Sequence, residues 1–346
     1  MRESIFTSTV RAFFTGLFTL IGVTFGLILL VIVVASMADK GTTTRYEPEK
    51  KFSSEIVANA EGERKQMGKN APIILQLHID GFIGSEDLNA ASMRRLLIES
   101  REGSLADRVK GILLCINSPG GTVFDASSIY NSLKEYKETY KVPIYAYVDG
   151  LCASGGMYIA CAADKIYSND VSLIGSVGVL IPPFLNFSKL MDKVGIESLT
   201  LSAGKGKDDL DPLRPWKAGE EDNLQKVVAY FYNEFVDQVV ANRPKVDKDK
   251  LIHDYGAQIF PPPQATNYGL IDGAGYDLKK TMEELLKAME ISDKNYQVVE
   301  LHHETWYTQL FKSVSSYSQG RVVHQIQLYP DIDPNCSNQF LYLYRP

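Results

Sequence analysis

Ser154 stands in the run Gly150-Leu151-Cys152-Ala153-Ser154-Gly155-Gly156. An apolar strand pattern precedes it and a helical pattern follows, so its hydroxyl falls at a helix N-terminus. Free backbone N–H groups and the helix dipole favour negative charge there. A serine so placed could act as a nucleophile, with the Gly155 amide steadying the oxyanion. The same position is also that of an ordinary N-cap serine, which on its own is the commoner reading. The G-x-S-x-G elbow is not met, because Cys152 occupies its first glycine position.

A second turn, Asn117-Ser118-Pro119-Gly120-Gly121, closes an apolar run at residues 109–117. Pro-Gly-Gly is a good turn in its own right. At the carboxyl end of a buried strand it also presents consecutive amides, as a second half of an oxyanion hole would. Ligands of open α/β sheets bind at that end of the strands.

A nucleophilic serine needs a base. The five histidines are His78, His253, His302, His303 and His324. His78 lies inside a predicted strand, and the others occur late without glycine or acidic motifs around them. A Ser-His-Asp triad is therefore unsupported, and a Ser-Lys dyad is the alternative. Its lysine must be neutral, and burial away from water favours that form. The best local candidate is Ser202-Ala203-Gly204-Lys205-Gly206-Lys207-Asp208. It is not a phosphate-binding Walker loop, since the upstream glycine and the Lys-Ser/Thr pair are absent.

The elements that must position these residues alternate. Residues 72–81 read as a strand and 88–99 as a helix. The nearly continuous apolar run at 109–117 suits a strand buried on both faces, as in parallel sheets. A helix to Tyr140, a strand at 143–148, a small-residue helix at 154–163 and a strand at 165–168 follow. This alternation implies right-handed crossovers and an α/β layered domain. A glycine- and charge-rich loop runs from Leu201 to Trp216. Long helices are predicted at 218–242 and 278–289, with a proline-rich turn region at 258–273 between them. No internal repeat is visible.

The chain has 346 residues and a net charge of −6. With no sizeable basic cluster, a nucleic-acid partner is not expected. The four cysteines, Cys115, Cys152, Cys161 and Cys336, form no C-x-x-C pair and read as buried free thiols. No metal ligand set or cofactor motif is found. Residues 12–38 carry no charged side chain up to Ala38 and are dense in Leu, Ile, Val and Phe. A helix of that length spans about 40 Å, against a bilayer core of about 30 Å. It is much longer than a signal-peptide core, so residues 1–11 are expected to precede an uncleaved transmembrane anchor at 12–38. Basic residues flank it on both sides, so charge alone does not orient it. Residues 39–70 read as a linker, partly helical near 61–67. Residues 71–291 form the expected catalytic domain and 292–346 a tail without a clear pattern.

With these motifs in hand, the sequence resembles the signal peptide peptidase A family over roughly residues 71–277. The resemblance rests on the stretch from Ala153-Ser154-Gly155-Gly156-Met157 to Asp164-Lys165-Ile166-Tyr167, and on Gly175-Ser176-Val177-Gly178-Val179. Asn117-Ser118-Pro119-Gly120-Gly121, the run from Ser188 to Ile196 and Gly269-Leu270-Ile271-Asp272 add to it. It implies a Clp protease/crotonase-like fold of stacked β-β-α units behind one N-terminal transmembrane helix. It further implies a membrane-anchored serine endopeptidase with Ser154 as nucleophile. Lys207, in Gly204-Lys205-Gly206-Lys207, becomes the general base, with Lys205 as the alternative. Ser176 would orient the lysine amine, and Gly120, Gly121 and Gly155 would form the oxyanion hole. The implied substrates are signal peptides left in the bacterial cytoplasmic membrane, cut on its outer side by a ring-shaped homo-oligomer. The chain would be the short, single-copy form. A crotonase-like acyl-CoA enzyme and a catalytically dead scaffold remain the competing classes.

Overall fold

The computed structural model describes residues 52–303 except Asp293, residues 341–344, and Thr15, Gly16, Phe18, Thr19, Gly22, Val23 and Gly26. Those N-terminal positions are helical and exposed. The rest of the expected anchor at 12–38 lies outside the described residues. Among the described residues no helix is long and apolar enough to cross a membrane. Residues 1–51 and 52–346 form separate compact units; the second carries every candidate site residue.

A ten-stranded sheet organises this second unit. Its central strands are β2 (Ile73–Ile83), β3 (Val109–Thr122), β4 (Ile144–Ala153) and β5 (Lys165–Ser168), all parallel in that order. Between them run α1 (Ala90–Glu99), α2 (Val123–Tyr140) and α3 (Gly155–Ala160). The apolar run of β3 follows from burial on both faces. Ile112, Leu114 and Ile116 join the larger core with Ala126, Ile129, Tyr130 and Leu133 of α2. Leu113 points the other way, into a cluster with Ile74, Tyr147, Met282 and Leu285. Successive side chains of a strand alternate faces, so covering both demands the apolar run from Gly111 to Ile116. Each fully buried aliphatic side chain contributes about 1.5–3 kcal/mol.

Three central strands turn a corner near their carboxyl ends. Register shifts fall between Asp80 and Phe82 of β2, and between Ile116 and Ser118 of β3. Such irregularities bend a strand and re-aim it. Past the corner, β4 leaves β5 and pairs through Leu151–Ala153 with β6 (Leu173–Gly175), which pairs antiparallel with β7 (Ile259–Phe260). The corner brings the two glycine turns together.

Farther along, the chain is irregular around α4 (Ser188–Val194) and then forms the long α5 (Asp222–Asn242). The short α6 (Pro262–Asn267) starts on prolines, tolerated in a first helical turn. β8 (Gly273–Ala274) adds beside β5, and α7 (Leu278–Ala288) covers the smaller core cluster.

Three expectations change. Residues 52–57, within the expected linker, form β1 (Phe52–Val57), antiparallel to β9 (Gln297–His303). β9 in turn lies parallel to β2, so part of the expected tail belongs to the sheet. The folded unit therefore begins before Ala71. Ser53, Ser54 and Glu55 hide the strand pattern because this edge strand leaves them exposed. Residues 61–67 carry turn and irregular structure, not helix. A last strand, β10 (Leu341–Leu343), pairs antiparallel with the end of β3. Cys336 lies outside the described residues; Cys115, Cys152 and Cys161 are free thiols. Burial pushes the Cys115 and Cys161 thiols up to about 12, so they act as packing groups.

Candidate active site

Ser154 sits between β4 and α3 with φ 53° and ψ −116°. This is not the extended conformation of an N-cap, and its side chain caps no helix N–H. The hydroxyl instead donates only a long bond, 3.4 Å, to the Gly178 carbonyl. A non-glycine residue at that φ costs about 1–3 kcal/mol, and such strain concentrates at functional sites. The neighbouring sheet holds it there: the Ser154 amide donates to the Gly175 carbonyl at 2.9 Å. Ala153 and Gly175 are register partners, so Ser176 follows directly beside Ser154. Ser176 is buried and also has a φ of 53°, with its amide bonded to the Gln258 carbonyl at 2.7 Å. The structure thus brings Ser154 and Ser176 together.

The two glycine turns meet at the corner. A Cβ on Gly155 would stand 3.2 Å from the Gly121 amide nitrogen, and one on Gly120 would stand 2.7 Å from the Gly155 nitrogen. Three amides therefore converge beside the serine, but they are not equivalent. The Gly120 N–H donates to Ser118 Oγ at 3.1 Å, and Ser118 Oγ donates to the Gly81 carbonyl at 2.6 Å. Ser118, given no role by the sequence motif, holds the turn in shape and occupies the Gly120 amide. Of the three glycines, Gly121 and Gly155 are the ones whose amides this serine does not occupy. The part of Gly120 is spatial: its φ is 102°, and a Cβ there would also lie 1.9 Å from the Tyr342 carbonyl oxygen. Gly120→Ala should therefore destabilise the chain by about 1–3 kcal/mol and remove most of any hydrolytic activity. Thermal melts and a peptide assay on the same preparation check both.

Lys207 lies apart. It is exposed, in a turn where its amide donates to the Gly204 carbonyl at 3.3 Å. Neither its side chain nor that of Lys205 makes a hydrogen bond or ion pair with any described residue. What the sequence missed is how this loop is fixed. Arg214 bonds the Asp208 carboxylate at 3.0 Å and the Asp208 carbonyl at 2.5 Å, and reaches Glu220 at 2.7 Å. Glu220 also accepts the Leu210 amide at 3.0 Å. The Arg214 hydrogen bond holds the Glu220 carboxyl well below the usual carboxylate range. The turn bearing Lys207 is thus tied at Asp208, immediately after the lysine. Apolar side chains before it are open to water, with Leu199 84% and Leu201 87% exposed.

Another motif proves structural. Asp272 of Gly269-Leu270-Ile271-Asp272 accepts from the Ile166 amide at 3.0 Å, Lys165 at 3.1 Å and Arg243 at 2.5 Å. It ties β5 to α5 away from the glycine corner. Among the described residues no cluster of His, Cys, Asp or Glu could hold a metal ion.

With this geometry described, similarity to known proteins can be weighed. The sequence matches Peptidase family S49 over residues 137–292, a span holding Ser154, Ser176 and Lys207, and Clp protease over residues 88–176. A protein of Enterococcus faecium that carries the provisional name signal peptide peptidase SppA is 31% identical over 300 residues, covering 82% of this chain and 84% of that protein. Serine protease SPPA, chloroplastic, of Arabidopsis thaliana is 29% identical over 54% of this chain and 27% of its own length. A solved ClpP1 mutant from Listeria monocytogenes aligns with TM-score 0.40 and 16% identity, over 60% of this chain and 94% of that one.

Proposed function

The chain belongs to peptidase family S49 and is a serine peptidase, and from that premise we propose that it cuts peptides with a Ser154–Lys207 dyad. The observation that carries this reading is the strained Ser154, whose hydroxyl serves no cap and whose next residue, Gly155, packs against the Gly120-Gly121 turn. In the acylation step Ser154 Oγ attacks the peptide carbonyl carbon while its proton passes to the neutral Lys207 amine. The carbonyl oxygen becomes an oxyanion held by the Gly121 and Gly155 N–H groups. The ammonium of Lys207 then protonates the leaving amine. Water, deprotonated by the same lysine, attacks the acyl carbon; the ester bond to Ser154 Oγ breaks, the acid is released, and the lysine returns its proton to Ser154 Oγ. Ser176, beside Ser154, supplies a hydroxyl that orients the lysine amine.

A base lysine must be shielded from water, and Lys207 of one chain is exposed. The open apolar side chains that precede it in the chain, Val194, Ile196, Leu199 and Leu201, mark a surface to be covered. A second copy of this chain in a homo-oligomer is the proposed cover, and burial there would bring Lys207 to its working state. The apolar segment at 12–38 supports anchoring in the bacterial cytoplasmic membrane, and the name of the E. faecium relative supports signal peptides as substrates. The catalytic domain is proposed to stand on the outer side of that membrane.

The dyad is tested by hydrolysis of a synthetic signal peptide. Lys207→Ala should lower kcat by about 10²–10⁴-fold, the range of a general base, while Lys205→Ala stays within about threefold of wild type. Loss in Lys205→Ala alone would move the base to Lys205.

A further inference from the structure

Beyond the dyad, and resting on Ser154 as the nucleophile, we propose that Asn117 is a positioning residue whose carboxamide sets the serine against the glycine turn. The observations lie at the corner of the sheet. β3 and β4 pair at Ile116 with Val148 and next at Ser118 with Cys152, so Asn117 alone stands opposite Asp149, Gly150 and Leu151. On its other side Asn117 is the register partner of Asp80, the last before the ladder shifts to Phe82 and Gly120. The regular ladder lapses on both sides of this residue. A backbone N–H left over in such a bulge needs another acceptor. Asn117 supplies it: its Oδ1 accepts the Leu151 amide at 3.1 Å, and its Nδ2 donates to Asp80 Oδ1 at 3.2 Å. One side chain therefore joins β2, β3 and β4 where the backbone ladder does not.

Two features fit the place to a carboxamide. One neighbour is an N–H and the other a carboxylate, so the side chain between them must accept at one end and donate at the other. Asparagine does both, and an ionised aspartate only accepts. Gly150 has a φ of 124°, and a Cβ there would lie 2.6 Å from Asn117 Oδ1. The glycine leaves the room that the carboxamide fills. The Gly150 amide is held separately, by Ser172 Oγ at 3.1 Å.

Both halves of the site spring from this point. Ser154 follows Leu151 by three residues on one strand, and Gly120 follows Asn117 by three on the other. A shift at the root is carried to both ends, and a misplacement of about 1 Å in reacting groups costs on the order of 100-fold in rate. Asn117 is itself exposed, so changing it opens no cavity in the core. The loss belongs in rate rather than in stability.

The test exchanges the two partners in the full chain. Asn117→Asp keeps the acceptor for Leu151 but turns an oxygen toward Asp80, where like charges repel. For a synthetic signal peptide kcat should fall by about tenfold or more, with KM within about threefold, and fluorophosphonate labelling of Ser154 should slow by the same factor. The melting midpoint should stay within about 4 °C of wild type. Adding Asp80→Asn returns a donor to the pair, now from position 80, and should restore kcat to within about threefold of wild type. Asn117→Ala lacks both bonds, and Asp80→Asn should not rescue it. Unchanged kcat in Asn117→Asp, a loss that Asp80→Asn leaves unrepaired, or a loss of rate matched by a fall in the melting midpoint overturns the inference. Should Asn117→Asp alone fail to fold, the exchanged pair still decides: near wild-type kcat supports the inference, and a folded but slow double variant overturns it. Hydrolysis that survives Ser154→Ala overturns the nucleophile assignment beneath it.

Discussion

Ser154→Ala is expected to lower peptide hydrolysis by about 10⁴-fold or more, the scale seen when a nucleophilic serine is removed, without lowering thermal stability. The two halves of this expectation have separate causes. Activity falls because the hydroxyl is the group that bonds to the substrate carbon, and water held by the remaining amides replaces it poorly. Stability is spared because the hydroxyl does little for the fold. It makes one long bond to the Gly178 carbonyl and caps no helix. Alanine inherits the same backbone strain at φ 53°, so that cost is unchanged. An ordinary N-cap serine would behave in the opposite way, losing about 1 kcal/mol of stability on truncation with no necessary effect on rate. Measuring both quantities on one variant therefore separates a nucleophile from a cap.

The second large effect concerns stability. Asp272→Ala is expected to cost about 3–5 kcal/mol, as when one partner of a buried ion pair is removed, and to shift the urea midpoint accordingly. Arg243 is buried, and its guanidinium bonds Asp272 at 2.5 Å. Truncation would leave that charge without its carboxylate, and would also strip the Ile166 amide of its side-chain acceptor. Burial works against ionisation of Asp272. The Arg243 charge and the hydrogen bonds from Ile166, Arg243 and Lys165 outweigh it and hold the carboxyl below its ordinary value. A carboxylate with a depressed folded pKa stabilises fully above the unfolded value, about 4. The contribution is lost as pH falls through the lower folded value. Wild type should therefore lose stability below about pH 4, and Asp272→Ala should show a shallower acid limb.

What the sequence disclosed follows the physics of burial. The strands at 109–117 and 143–148 were legible because they are covered on both faces and read as nearly continuous apolar runs, and the one at 72–81 by an apolar run that ends in a glycine turn, with His78 and Asp80 exposed. α5 and α7 were legible by their periodic apolar stripes. β1 was not, because an edge strand beginning Phe-Ser-Ser-Glu satisfies its partner through the backbone and leaves little trace in side-chain type. β10 was hidden differently: its partner stands more than 200 residues away, at the glycine turn. Leu341-Tyr342-Leu343 alone is too short for a period to show. At the site, Ser154 and the glycines announced themselves through local motifs. The division of labour among the amides did not, since it depends on Ser118 reaching both Gly81 and Gly120 across the corner. Lys207 was legible as a candidate by its glycine context. Its exposure in one chain belongs to tertiary structure, which local pattern does not report.

The most direct test of the central claim is to treat the full chain with a fluorophosphonate, which labels activated serines, and to map the adduct by peptide mass spectrometry. The account predicts a single adduct on Ser154, absent from Ser154→Ala and formed far more slowly in Lys207→Ala. An adduct on another serine, or peptide hydrolysis that continues unchanged with Ser154 fully labelled, would contradict it.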